Sequence, residues 1–178
     1  MKDVSIHVLT AEDADAAARF IALVNTGEAT ALPDLPTTKD EARAVIERVL
    51  AVGVPAFILR LYEGEGRICG FIAVSPENTS VLLGPLLHIG DWAGHAEAML
   101  RAVLDAVHLR ESRFLNKSET LSVRFYSANR NMRALIERHG GPVIDLTSAQ
   151  QTSDAGSGLA RSVRVQLGTI PLDSPRDR

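Results

Sequence analysis

The chain has 178 residues, a net charge of −3 and a single cysteine, Cys69. That length suits one domain with an ample core, the lone cysteine excludes an intrachain disulfide and a cysteine-based zinc centre, and the small charge leaves no footprint for nucleic acid or an anionic membrane surface. No apolar run approaches the roughly 18–20 residues of a membrane span and Met1-Lys2-Asp3-Val4 lacks the apolar region of a signal peptide, so the expectation is a cytoplasmic protein with no membrane or nucleic-acid partner.

Val4, Ile6 and Val8 alternate with Ser5 and His7, the pattern of a half-buried strand. Thr10 and Asp13 form a candidate capping box for an Ala-rich helix running to about Asn25 and stopping near Gly27. Residues 26–38, with Pro33 and Pro36, read as an irregular loop. A second candidate capping box, Thr38 and Glu41, opens a helix with Val45, Ile46, Val49 and Leu50 on one stripe and Gly53 as its C-cap. Residues 56–62 and 68–74 are apolar strands joined by the turn Glu63-Gly64-Glu65-Gly66-Arg67. Their near-continuous apolarity predicts central strands covered on both faces. Pro76-Glu77-Asn78 turns the chain into a third apolar run, 81–89, interrupted by Gly84 and Pro85.

That run leads through Gly90, Asp91, Trp92, Ala93 and Gly94 into a helix with Met99, Val103 and Val107 on one line, flanked by Leu100 and Leu104. Strand, small-residue turn and helix make a recipe for a phosphate site, because the first N–H groups of the helix lack partners and the dipole puts positive charge there. After a polar connector, 110–119, Leu121, Val123 and Phe125 alternate with Ser122, Arg124 and Tyr126. Ser127-Ala128-Asn129 opens a helix with Met132, Leu135, Ile136 and His139 on one face, ended by Gly140. Residues 142–146 and 159–167 are the last predicted strands, separated by a Ser/Thr/Gln/Gly-rich loop, 147–158. The expected organisation is one domain over 1–170 and a flexible tail over 171–178.

Two of these stretches resemble motifs of the GCN5-related N-acetyltransferases (GNAT). Asp91-Trp92-Ala93-Gly94-His95-Ala96 is similar to the fingerprint Gln/Arg-x-x-Gly-x-Gly/Ala through Gly94 and Ala96, with Asp91 where the family has Gln or Arg and Trp92 where it prefers Gly. Asn129, Met132, Leu135 and Gly140 match the family's Asn-x-x-Ala/Met, Leu and Gly after the fifth strand. Gly141 stands where the family has Phe, and Ile136 where many members carry a Tyr general acid. The resemblance implies an α/β fold, a mixed, mostly antiparallel twisted sheet of about seven strands flanked by four helices, as in acyl-CoA N-acyltransferases. It implies acetyl-CoA as co-substrate and an amine acceptor on a small molecule or protein, with the 26–38 loop helping to form the acceptor pocket; the plain alternative for that loop is a surface connection. The pantetheine arm would pair with the backbone of Leu86, Leu87 and His88. The pyrophosphate would lie on N–H groups of Trp92, Ala93, Gly94, His95 and Ala96, with Asn129 beside the pantetheine.

The residues themselves leave alternatives. Asn129 is a good N-cap without any ligand. Trp92 either stacks on a nucleotide or anchors the turn to the core. Asp91 beside a pyrophosphate costs affinity unless it points away or caps the helix, and Arg130 or Arg133 is then the other source of positive charge. For proton handling the candidates are His88, an imidazole that titrates near neutrality, Glu77 acting through a water, and Tyr126. Cys69 reads as buried and structural, and His88, His95, His108 and His139 are too scattered for a metal site. Two functions compete: direct acetyl transfer from acetyl-CoA to an amine, and a catalytically degenerate domain of this fold that binds a ligand or partner or forms a homodimer.

Overall fold

A computed structural model describes residues 4–27, 29–62, 66–109, 120–146 and 165–172. The expectations for 63–65, 110–119, 147–164 and 173–178 lie outside these residues.

The first half is built from β1 (Val4–Val8), a short 3-10 turn (Ala11–Asp13), α1 (Ala14–Val24), α2 (Lys39–Val52), β2 (Ala56–Leu61), β3 (Arg67–Val74) and β4 (Leu82–Leu87). At the first capping box the Thr10 N–H and hydroxyl both donate to the Asp13 carboxylate, at 2.9 and 2.7 Å. Arg60 of β2 also bonds Asp13. Burial raises this carboxyl, but the Thr10 and Arg60 bonds outweigh it and hold Asp13 below the usual range. At the second box the expected reciprocal backbone bonds do not form. Thr38 Oγ1 donates instead to Glu41 Oε2 at 2.8 Å, a charge-assisted bond that competes with the backbone for both side chains. Gly53 ends α2 in the left-handed region at φ 73°.

β1 to β4 form an antiparallel sheet in sequence order. β3 is buried from Ile68 onward and β4 throughout, so both faces need cover. α1, with α2 stacked on it, packs on one face. α3 (Trp92–Leu109) covers the other, so closely that a Cβ on Gly70 would lie 3.1 Å from Met99 Sδ. β4 carries an extra residue: Leu83 to Leu86 on β4 spans the same register as Ala73 to Phe71 on β3. The bulge holds the cis Gly84–Pro85 peptide. Gly84 has φ +119° and its Cβ would meet the Phe71 carbonyl oxygen at 2.8 Å, so no other residue fits.

The second half contains β5 (Thr120–Tyr126), α4 (Arg130–Arg138), β6 (Val143–Leu146) and β7 (Val165–Pro171), with strand order β5-β7-β6, all antiparallel. The expected end of the last strand at 167 and the start of the tail at Pro171 are corrected here: β7 continues to Pro171, which pairs with Thr120, and Leu172 is buried. Strand pairing with β5 holds Gly168 and Pro171 in register although both read as breakers. α4 lies on the same side as α3, joined to it by His139 Nε2–Glu97 Oε2 at 2.9 Å. The sheet is therefore mixed and split. The two parts meet at one parallel bridge, Val81 to Ser122, where the Ser122 N–H and hydroxyl donate to Ser80 O at 2.8 and 3.2 Å. From there β4 and β5 run side by side without a ladder between them.

Candidate active site

The unpaired stretch between β4 and β5 is the candidate site. His88 N–H donates to Cys69 O at 2.9 Å, which continues the β3–β4 ladder one residue past β4. Alternation along an antiparallel pair then turns the Leu87 N–H and C=O away from β3, toward β5. This leaves a peptide-like donor and acceptor facing the splay, which suits the amides of an extended arm. Leu86 and Leu87 side chains are buried, and Leu87 packs against Gly70 on the α3 side. His88 is exposed and, by alternation, projects on the opposite face, the α1–α2 side.

Tyr126 ends β5 on that same face. Leu121, Val123 and Phe125 point into the core, so Ser122, Arg124 and Tyr126 point the other way. The α1–α2 loop confirms the side: Asp34 accepts from Arg124 Nε at 2.9 Å and from its Nη2. The loop is braced internally by Asn25, which is 1 % exposed. Its Nδ2 donates to the carbonyls of Leu32, Leu35 and Pro36, at 3.2, 2.7 and 3.2 Å, and its Oδ1 accepts from Leu32 N–H at 2.7 Å. His88 and Tyr126 thus share one end and one face of the splay, beside a loop with a fixed shape. Glu77 does not join them. It sits in the β3–β4 turn, exposed and paired with Arg48 at 3.4 Å, and the intervening strand puts roughly 20 Å between it and His88.

The helix start differs from expectation. α3 begins at Trp92, so Gly94 is in its first turn, not before it. The reason is Asp91, whose Oδ1 accepts the Gly94 N–H at 3.2 Å, while its carbonyl accepts from His95 at 3.4 Å. A Cβ on Gly94 would lie 2.7 Å from Asp91 Oδ2. Among the described residues no cation pairs with Asp91. Trp92 packs against the core, the anchoring alternative. Ala93 and Gly94 are exposed, His95 half-buried and Ala96 fully buried. Asn129, 3 % exposed, caps α4 by accepting from Met132 N–H at 3.1 Å. Arg130 and Arg133 are exposed on the first turn of α4, Arg133 within 3.6 Å of Glu137.

The family's other departures have local causes. A Cβ on Gly141 would fall 1.7 Å from the Thr169 carbonyl oxygen, leaving no room for Phe. Ile136 is fully buried against Gly168 of β7 and points away from the splay. Cys69 is buried, which pushes its thiol up despite Arg67 nearby, the setting of a structural cysteine. Among the described residues no group of three or more His, Cys, Asp or Glu gathers as a metal site, and no helix is long and apolar enough to cross a membrane.

At the level of sequence, no family model matches the chain and no curated protein matches it. Solved structures do. The chain superposes on yncA from Salmonella typhimurium, assigned as an acetyltransferase and solved with its cofactor acetyl-CoA, with a TM-score of 0.69 at 14% identity, covering 99% of this chain and 98% of that one. An N-acetyltransferase from Staphylococcus aureus Mu50 gives 0.63 at 15% identity, over 96% and 99%. Diaminobutyrate acetyltransferase EctA from Paenibacillus lautus, in complex with L-2,4-diaminobutyric acid and coenzyme A, gives 0.59 at 17% identity, over 97% of both chains. The chain has the fold of the GNAT acetyltransferases.

Proposed function

We propose that the protein is a divergent GNAT acyltransferase that moves an acetyl group from a pantetheine thioester, acetyl-CoA in the first instance, to an amine by direct transfer. The observation that carries this reading is the splay: β4 and β5 part after the Val81–Ser122 bridge, with the β4 bulge at Gly84–Pro85 and the free edge of Leu87 inside it. Leu87 N–H and C=O would hold the arm in register. The thioester supplies the activated acyl carbon when bound. The amine nitrogen bonds to that carbon, the C–S bond breaks, the amine proton leaves and the thiolate gains one. His88 would take the proton and Tyr126 would give it, a reading supported by their shared end of the splay on the acceptor side. The Asp34–Arg124 pair and the Asn25 brace give the acceptor side a rigid wall.

A thermal melt tests binding. With acetyl-CoA at about 100 times its Kd the fold gains roughly 2.7 kcal/mol, a rise of about 5–10 °C for a chain of this size, with ATP as the control. No shift at millimolar acetyl-CoA removes the reading.

The second reading, a degenerate binding domain, is favoured by one observation. The polar groups at both helix starts are already engaged within the protein, Asp91 with Gly94 and Asn129 with Met132. Binding of acetyl-CoA without thiol release across a panel of primary amines selects it.

A further inference from the structure

The diphosphate part of the donor site does not fit as the pantetheine part does. In the reading above, the anion belongs on the first N–H groups of α3. The chain has put an anion of its own there. Asp91 Oδ1 takes the Gly94 N–H at 3.2 Å, and the carboxylate lies so close over Gly94 that a single added carbon would sit 2.7 Å from Oδ2. Gly94 is thereby explained by the internal carboxylate, without a ligand. Nothing among the described residues neutralises that carboxylate. An incoming diphosphate meets a like charge at contact distance and a helix start whose third N–H is taken. The splay, by contrast, meets the arm with uncharged backbone groups.

We propose that Asp91 is a specificity-determining residue for the donor: it competes with the diphosphate for the start of α3, so the site reads the thioester through its pantetheine arm and gains little from the nucleotide end. The proposal rests on the acyltransferase reading and names the part of the donor that carries recognition. The chemical class it favours is a thioester on a pantetheine arm with reduced anionic charge where CoA has its diphosphate.

The test is a titration of acetyl-CoA and acetyl-pantetheine into the wild-type protein, Asp91→Asn and Asp91→Ser. Asn and Ser both keep an N-cap acceptor, so α3 retains its start, and a matching melt of each variant verifies the fold. In the wild type the two thioesters bind within about threefold of each other, since the nucleotide end adds little against Asp91. Removing the charge tightens acetyl-CoA on the order of tenfold and leaves acetyl-pantetheine within about twofold. Equal changes for both thioesters, or weaker acetyl-CoA binding in both variants, overturn the role of Asp91 and leave the acyltransferase reading intact. Absence of binding by either thioester to all three proteins overturns both.

Discussion

Two helices start at neighbouring strand ends in this molecule, and they are held in opposite ways. α4 starts from Asn129, a neutral and buried cap, and past its far end Gly141 lies against the Thr169 backbone. α3 starts from Asp91, a charged and exposed cap, and the glycine in its first turn is crowded only by the tip of that side chain. A backbone cannot withdraw, but a carboxylate can rotate away. With a neutral, buried cap the start of α4 is structural, and the start of α3, capped by an exposed carboxylate, is the one where an incoming anion meets a like charge.

The widest test of that contrast is Gly141→Ala. Its Cβ would overlap a carbonyl that strand pairing fixes, so the expected loss exceeds about 3 kcal/mol, read as a Tm fall of roughly 10 °C or failure to fold. An unchanged melt would show that β7 yields there and that the contrast is false. Asn129→Ala removes the α4 cap and leaves the Met132 N–H buried, with a cost of about 1–2 kcal/mol in urea unfolding. Gly94→Ala pushes only the Asp91 side chain aside. It costs about 1 kcal/mol or less, the worth of an exposed cap, and a loss as large as that of Gly141→Ala would contradict a mobile carboxylate.

The link between the helices gives the smallest effect. Burial raises the Glu97 carboxyl, but the bonds from His139 and Arg101 outweigh it and hold it below its usual value of 4.5. A depressed folded-state value means stability that is fully present above the unfolded value and is lost as pH falls through the folded one. Melts from pH 6 to pH 3 are expected to fall more steeply for the wild type than for Glu97→Gln, by about 1 kcal/mol or less. Parallel curves would remove the clasp from the account.

Much of the architecture was legible because it is local. Thr10 with Asp13, Gly53, Gly140 and the alternation of Leu121, Val123 and Phe125 each state their structure within a few residues. The start of α3 was misplaced by three residues because Gly94 reads as a turn until Asp91 is seen to cap it. The end of β7 was placed too early because Gly168 and Pro171 look like breakers. Gly168 is small because Ile136 fills the space above it, a contact that spacing does not reveal. In the site, His88 and Tyr126 were separable from Glu77 only once strand direction was known. Asp34 with Arg124, 90 residues apart, and the Asn25 brace gave no sequence signal, since each depends on tertiary approach.

The central claim is that the splay between β4 and β5 holds a pantetheine thioester. Backbone amide chemical shifts of the 15N-labelled protein, followed during an acetyl-pantetheine titration, test it most directly. The account predicts saturable shifts led by Leu87, with Leu86, His88 and the Tyr126–Asn129 turn following and the Asn25 loop little changed. Saturable shifts elsewhere with Leu87 unmoved, or none at millimolar thioester, would contradict it.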